Sequence, residues 1–257
     1  MRSTVLGSRR AYVAMLLSLS RGNWIAFAAA HGVFLLMVDR RIFVSAVVAG
    51  ALLLTVGFGL LPEVVRERIE VTRTTGRVVY QVPLAINLES STASRVVFAR
   101  IGLDMFERSP IWGHGLHAFN FRTPEFGAKY GVLIQKDPHN LAVKMAADAG
   151  LIGLGVLAWV IWAVFRCGRR LWRSTSPEYL LGAVLLAAAT HILVANMSAT
   201  AFLYAKQISA QFWILFALAA RAYVARDAEQ EEPAAQPVQA GSWRRFAQRA
   251  APAVSQL

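Results

Sequence analysis

The sequence predicts an all-α fold: a multi-pass transmembrane helical bundle with a large, partly helical outer loop. Three observations support this prediction. Of the 257 residues, 56% are hydrophobic and only 16% are charged, whereas soluble domains usually carry about 25% charged residues. The mean hydropathy is +0.45. Several apolar runs approach the roughly 20 residues that a helix needs to cross the hydrocarbon core, so much of the surface is expected to face lipid.

The net charge of +12 and the cysteine content exclude several classes of protein. Cys167 is the single cysteine, so neither an intrachain disulfide framework nor a thiolate metal cluster can form. In a soluble chain the basic balance would indicate nucleic acid, but here the arginines stand between apolar runs, which is typical of membrane topology. We therefore expect membrane lipid as a partner and no nucleic acid. The acidic residues of the outer loop are scattered, so no metal site and no cofactor are predicted.

Five apolar runs divide the chain into predicted spans. Charged or turn residues bound them, such as Pro62 after the second run and Arg166 after the third. The predicted spans are about 22–38, 42–61, 145–165, 179–195 and 208–224. They form one transmembrane domain over residues 1–226. Residues 227–257 are rich in Ala, Gln, Glu and Pro and are predicted to be a largely disordered cytoplasmic tail.

Clusters of arginine orient these spans. Cytoplasmic connections carry an excess of Lys and Arg, and the arginine clusters alternate with the spans as that rule requires. They are Arg40 and Arg41; Arg166, Arg169, Arg170 and Arg173; and Arg226, Arg244, Arg245 and Arg249. With these clusters in the cytoplasm, residues 62–138 form a large extracytoplasmic loop, and Arg21 lies near the same outer face.

The outer loop contains a predicted amphipathic helix over residues 94–108. Its apolar stripe consists of Val96, Ala99, Leu103 and Phe106, widened by Phe98, Ile101 and Met105. Ser94 is the predicted N-cap, and Arg100 is spaced to pair with Asp104. A second helix is expected to begin near His139, after the sequence Asp137-Pro138.

Two arginines at the outer face are candidates for binding an anion. Arg21 is embedded between apolar runs, where a charge is costly enough to suggest a function. The alternative is an interfacial arginine that anchors a helix end. Arg95 is predicted in the first turn of the loop helix, where its guanidinium and unpaired backbone N–H groups would converge on an anion. The alternative there is a solvated surface arginine.

His139 is the candidate base, because an imidazole at the mouth of a span could accept a proton from a sugar hydroxyl. The alternative is a structural histidine that caps the helix. His31 and His191 lie within predicted spans and are expected to bond neighbouring helices. His114 and His117 receive no role from the sequence.

Three short motifs occur in order around the outer loop. They are Ser20-Arg21-Gly22; Arg95 followed by Pro110-Ile111-Trp112-Gly113-His114-Gly115; and His139-Asn140 followed by Gly150-Leu151-Ile152-Gly153-Leu154. In order and spacing they resemble motifs of the O-antigen ligase and polymerase superfamily of bacterial membrane proteins. The resemblance covers roughly residues 17–165 and is to the C-terminal half of the considerably longer family members.

This resemblance implies metal-independent glycosyl transfer at the periplasmic face of the inner membrane. The implied donor is an undecaprenyl-diphosphate-linked glycan, and the implied acceptor is a hydroxyl of lipid A-core or of another glycan, in O-antigen and lipopolysaccharide biosynthesis. Carried onto this chain, Arg21 and Arg95 would bind the donor diphosphate and His139 would be the catalytic base. Asn140 and Arg100 would support them. No cofactor is implied.

Two other functions stay open at this point. A polysaccharide repeat-unit polymerase of the same superfamily would apply the same chemistry to a different acceptor. An inactive, truncated membrane remnant would use its arginines only as interfacial anchors. An active site requires Arg21, Arg95 and His139 to line one outward-facing cavity, which a remnant does not require.

Overall fold

A computed structural model describes residues 12, 13, 15, 20–60, 63–70, 90–174 and 177–231. Regular structure in these ranges is helical, without a strand. The helices are α1 (Arg21–Val38), α2 (Arg40–Val56), α3 (Glu63–Glu70), α4 (Ser90–Arg108), α5 (Ala118–Gly127), α6 (Leu141–Trp172), α7 (Tyr179–Asn196), α8 (Ala201–Tyr204) and α9 (Lys206–Glu231). The predicted tail begins inside α9, and its residues 232–257 lie outside the described residues, as do loop residues 71–89.

Within the described ranges, four helices are long and apolar enough to cross a membrane: α1, α6, α7 and Lys206–Ala228 of α9. The predicted span 42–61 falls on α2, which has 17 residues and passes into a 3-10 turn, Gly57–Leu60. Large apolar side chains such as Ile25, Val56 and Trp159 are exposed on these helices, as expected where lipid replaces water. The predicted all-α multi-pass architecture is confirmed.

Polar side chains fix where the first two helices begin. Ser20 Oγ accepts a hydrogen bond from Asn23 N (3.4 Å) at the start of α1. Asp39 Oδ1 accepts one from Arg41 N (2.7 Å) at the start of α2. Both are N-caps that satisfy backbone N–H groups left unpaired in the first helical turn.

The bundle is built on α7, which packs against α1 and against α6. Trp172 Nε1 donates to Met37 O (3.0 Å), which joins the last turns of α6 and α1. Arg170 Nη2 lies 2.5 Å from Asp227 Oδ1, which joins α6 to α9 at the same end. Because α1, α6 and α9 meet there by their C-terminal turns, they run parallel. Among the described residues, the arginines predicted to be cytoplasmic therefore lie at one end of the bundle, namely Arg40, Arg41, Arg166, Arg169, Arg170, Arg173 and Arg226.

A hydrophobic core lies at the other end of the bundle, where α4 and α5 meet the first turns of α6. Its buried side chains are Val97, Phe98, Ile101, Met105, Ala118, Phe119, Phe126, Tyr130, Val132 and Ala147. We call α4, α5 and residues 141–149 the loop layer. The buried face of α4 differs from the predicted stripe, because Val96, Ala99 and Leu103 are exposed.

Helix α6 is broken at Gly150, which has φ 60° and ψ −149°. Residues 110–115 enter the break and satisfy the backbone groups that it frees. The hydrogen bonds are Leu151 N to Pro110 O (2.7 Å), Ile152 N to Ile111 O (3.3 Å), His114 N to Ala147 O (3.0 Å) and Gly115 N to Asp148 O (2.8 Å). The predicted span 145–165 crosses this break. The part of α6 after the break, residues 151–172, is about 33 Å long as a helix, which is enough to cross the hydrocarbon core of a membrane.

Replacing Gly150 by alanine is expected to lower the thermal unfolding midpoint of the detergent-solubilised protein by several degrees. The new Cβ would lie 2.5 Å from Ile111 O and 2.6 Å from Pro110 O. The backbone conformation of Gly150 is also one that costs other residues about 1–3 kcal/mol. Gly155→Ala is the matched control, because a Cβ added at that position would meet no heavy atom within 4 Å. Equal midpoints for the two variants would contradict this explanation of the break.

Candidate functional site

The start of α4 corrects the prediction made for Arg95. The helix begins at Ser90, so Ser94 lies in its second turn and is not the N-cap. The unpaired backbone N–H groups of a helix belong to its first four residues, here 90–93. The predicted convergence of these groups with the Arg95 guanidinium is therefore wrong, and any anion site at Arg95 depends on the side chain.

Asn140, one of the predicted supporting residues, is the N-cap of α6. Its Oδ1 accepts a hydrogen bond from Val143 N (3.1 Å), and its Nδ2 donates to Met197 O (3.1 Å). The amide thus starts one helix and holds the loop that follows another, since residue 197 comes directly after α7. The helix therefore begins at Leu141, with Asn140 and not His139 as the capping residue.

His139 is held by its backbone in a left-handed conformation, with φ 51°. Its N–H donates to Asp137 Oδ1 (2.8 Å), and its Nδ1 lies 3.8 Å from the same oxygen. About half of the side chain is exposed, 52%. Nε2 makes no hydrogen bond with the described part of the chain. The backbone of His139 is therefore held by Asp137, and its half-exposed imidazole has Nδ1 on the side of that carboxylate.

Asp137 is a site residue that the sequence-based prediction missed. Its Oδ1 also accepts a hydrogen bond from Thr200 Oγ1 (2.5 Å), and its side chain is mostly buried, with 16% exposed. One carboxylate oxygen therefore ties His139 to the loop after α7. The signal in the sequence is Asp137-Pro138-His139, because an Asp side chain commonly accepts a hydrogen bond from the backbone two residues on.

Arg21 lies at the same end of the bundle as His139. It is the first residue of α1 and is half-buried. A Cβ on the adjacent Gly22 would collide with Ser198 Oγ, so the start of α1 abuts the loop at 197–200. Asn140 and Asp137 bind this same loop through Met197 and Thr200. The structure thus brings the chain segments of Arg21 and His139 to one short loop.

Arg95 reaches this region from the loop layer. It lies one helical turn before Phe98, whose ring centroid is 6.3 Å from that of His139. Arg95 is exposed and makes no hydrogen bond or ion pair with any described residue. The Arg95 guanidinium is therefore exposed one helical turn from the residue that contacts His139.

The structure does not bring Arg100 to this region. Arg100 is exposed and follows Phe98 by two residues, which places it roughly 200° around the helix. Its predicted partner Asp104 instead lies 2.9 Å from Lys129 Nζ and accepts a hydrogen bond from Tyr130 OH (2.9 Å). Burial raises the pKa of the Tyr130 phenol, which keeps that hydrogen present over the physiological pH range.

The glycine-containing turn gives a structural role to His114, to which the sequence analysis assigned none. Gly113 has φ 68°, and a Cβ there would collide with the backbone of α6. His114 Nε2 donates to Met105 O (2.7 Å), and His114 Nδ1 accepts from Arg122 Nη1 (2.5 Å). Arg122 also hydrogen-bonds Glu125 and lowers the pKa of that carboxyl group. The turn therefore positions the loop layer on α6.

A buried ion pair strengthens the same contact. Lys144 Nζ lies 3.1 Å from Asp148 Oδ2, and both side chains are almost completely buried. Asp148 Oδ1 accepts a hydrogen bond from Phe119 N (2.7 Å), and Lys144 Nζ donates to Asn120 Oδ1 (2.5 Å). Each charge is thus matched by a further hydrogen bond, as a buried pair requires. The pair fixes α5 to the first turns of α6.

Among the described residues, no group of three or more His, Cys, Asp or Glu side chains could hold a metal ion. This end of the bundle offers a half-exposed imidazole, with guanidinium groups on neighbouring segments of the chain. An imidazole can accept a proton from a hydroxyl, and guanidinium groups can neutralise a phosphate.

A family model described as O-antigen ligase matches residues 10–158. The match includes Arg21, Arg95 and His139, and it extends past the break in α6. No curated protein matches the chain.

Proposed function

This chain belongs to the O-antigen ligase family, and on that premise we propose that it transfers a glycan from an undecaprenyl-diphosphate-linked donor to an acceptor hydroxyl. The acceptor is lipid A-core, and the reaction takes place at the periplasmic face of the inner membrane, in lipopolysaccharide biosynthesis. Membership of this family implies ligase-type activity in general terms. The observation that carries the finer proposal is His139, with a half-exposed imidazole whose Nδ1 lies on the side of Asp137.

In the proposed reaction, His139 Nε2 removes the proton of the acceptor hydroxyl as the oxygen attacks the anomeric carbon of the donor sugar. A bond forms between that carbon and the acceptor oxygen, and the bond from carbon to the diphosphate oxygen breaks. The electron pair of the broken bond stays on the diphosphate, which leaves with its polyprenyl chain. The proton stays on His139 until solvent takes it.

Arg21 and Arg95 neutralise the negative charge that develops on the leaving diphosphate. Positive groups held in place before the reaction stabilise such charge more than mobile water does. The two arginines come from different parts of the structure: Arg21 begins α1 of the membrane bundle, and Arg95 lies on α4 of the loop layer. The diphosphate is therefore expected to lie between the membrane bundle and the loop layer, with the lipid tail towards the bundle.

The proposal is tested with the purified chain in vesicles that contain a polyprenyl-diphosphate-linked glycan, with lipid A-core supplied as acceptor. We expect glycan to appear on lipid A-core. A donor with one phosphate should be a much weaker substrate, because it offers less charge to two arginines. Elongation of the donor glycan without lipid A-core would identify a polymerase instead. No product from either reaction, with a folded protein, would support the inactive remnant.

Asp137→Asn is expected to lower kcat by roughly tenfold to a hundredfold while KM changes little. The asparagine Oδ1 can still accept hydrogen bonds from His139 N and Thr200 Oγ1, so the loop is kept and the charge beside Nδ1 is lost. Thr200→Val is the control, because it removes a donor to the same oxygen and keeps the charge. Steady-state transfer kinetics measure both variants. Similar losses of kcat in the two would show that Asp137 acts only through the loop structure.

A further inference from the structure

A cavity of about 860 Å³ lies between α1, α6, α7 and α9, at the end of the bundle opposite His139. Five arginines line it. They are Arg166, Arg169, Arg170 and Arg173 of the α6 C-terminal region and Arg226 of α9. The rest of the lining is mainly apolar and includes Val33, Phe165 and Leu186, which come from α1, α6 and α7.

The positive charge of this cavity is only partly compensated by the described residues. Arg170 is paired with Asp227 at 2.5 Å, and Arg166 lies over the Trp162 ring, 5.1 Å from its centroid. Arg226 Nη1 is buried and finds no hydrogen-bond acceptor in the described part of the chain. A buried donor without an acceptor is unfavourable, so an anion in the cavity would satisfy a group that the fold leaves unsatisfied.

The apolar wall restricts the anion to one that carries a hydrocarbon chain. Val33, Met37 and Leu186 face the same space as the arginines, and a free inorganic anion would leave them without a partner. Four of the five arginines come from the last two turns of α6 and its C-cap residue Arg173, roughly 22–33 Å along the helix from the break at Gly150. When residues 151 onward cross a hydrocarbon core of about 30 Å, Arg170 and Arg173 lie near its boundary with the headgroups, and Arg166 lies on the hydrocarbon side of that boundary.

The predicted cytoplasmic location of the cavity also favours an anionic lipid as its ligand. Arginine-rich connections lie in the cytoplasm, and the cytoplasmic leaflet is the one whose anionic lipids attract basic residues. Basic pockets between transmembrane helices on this side are suited to the phosphate of a lipid headgroup. We propose that this cavity binds an anionic phospholipid, with its phosphate on Arg169, Arg173 and Arg226 and an acyl chain along Val33 and Leu186.

The experiment follows the thermal midpoint of the purified full chain in detergent while phosphatidylglycerol or zwitterionic phosphatidylcholine is added. We expect phosphatidylglycerol to raise the midpoint and phosphatidylcholine to have little effect. Arg169→Gln combined with Arg173→Gln should weaken the response to phosphatidylglycerol by roughly tenfold or more in lipid concentration. The matched control is Arg40→Gln with Arg41→Gln, which removes the same charge at the same end outside the cavity and should respond as the wild type does.

A second variant keeps the test decisive if the double variant folds poorly. Arg226→Met removes the buried donor that lacks an acceptor, so without lipid it should be at least as stable as the wild type, yet it should respond less to phosphatidylglycerol. Equal responses to the two lipids, or equal losses in both arginine pairs, would overturn the proposal. The proposal would also be overturned if inorganic phosphate alone raised the midpoint as far as phosphatidylglycerol does. It would be overturned as well if the chain formed a dimer that Arg226→Met dissociates, because a second copy of the chain would then fill the cavity.

Discussion

His139→Asn is expected to abolish glycan transfer, with a loss of at least about 100-fold in kcat, the usual contribution of a general base. Asparagine tolerates the left-handed backbone that His139 adopts at φ 51°, so the turn before α6 should be retained. What the variant lacks is a nitrogen able to take the hydroxyl proton. The measurement is transfer to lipid A-core by protein reconstituted in vesicles, alongside complementation of glycan attachment in cells with equal membrane abundance.

His117→Asn is the matched control for this variant. His117 is also a histidine in the left-handed region, with φ 59°, and it precedes α5 at a distance in sequence from the proposed base. The same substitution there makes the same change of side chain and of backbone preference. We expect it to keep near wild-type transfer. Wild-type transfer by His139→Asn, or equal losses in both variants, would rule out His139 as the base.

Arg95→Ala is expected to lower kcat/KM for the lipid-linked donor by about 100-fold, the usual cost of removing one preorganised group that stabilises developing charge. The Arg95 guanidinium makes no hydrogen bond or ion pair with the described residues and is exposed, so the folded state should be little affected by its loss. Lysine at position 95 should restore part of the activity, because it keeps the charge but not the planar fork.

Arg100→Ala tests the geometry of the same helix. Both arginines are exposed on α4, and removing either changes the net charge equally. Because Arg100 lies on the side of the helix away from Phe98 and His139, its loss should change donor kinetics less than about threefold, on the order of a long-range charge effect in salt. Equal effects of Arg95→Ala and Arg100→Ala would mean that general attraction of the anionic donor, and not a defined site, explains both.

Local signals in the sequence were sufficient for the all-α membrane architecture, since four of the five predicted spans fall on helices long and apolar enough to cross a membrane. The orientation of the spans in the membrane stays a prediction. Apolar runs near crossing length reflect the burial of side chains in lipid, and arginine clusters such as Arg40 and Arg41 reflect the placement of charge across a membrane. Both signals come from residues close together in the sequence and do not depend on contacts between distant segments. The start of α4 was harder to predict because Ser90, Ser91, Thr92 and Ser94 all suit an N-cap. The choice among them depends on how the loop layer packs.

The broken helix and the role of Asp137 depend on contacts between segments far apart in the sequence. Gly150 can interrupt α6 only because residues 110–115 supply the missing hydrogen bonds, and no periodicity within α6 reveals that partner. Asp137 had a local signal in its spacing from His139. Its contact with Thr200 required the fold, which is why the sequence alone left the carboxylate unconnected.

The interruption at Gly150 has a mechanical consequence for the proposed reaction. An unbroken α6 would join the turn at His139 rigidly to the membrane-crossing segment. With the break, residues 141–149 are fastened to α4 and α5 instead, by the core around Ala147 and by the buried pair of Lys144 and Asp148. Because Asn140 and Asp137 also bind the loop at 197–200, which the start of α1 abuts, the turn at His139 joins the loop layer to the bundle. Bending at Gly150 is therefore expected to change the separation of Arg95 from Arg21 more than the separation of His139 from Arg21.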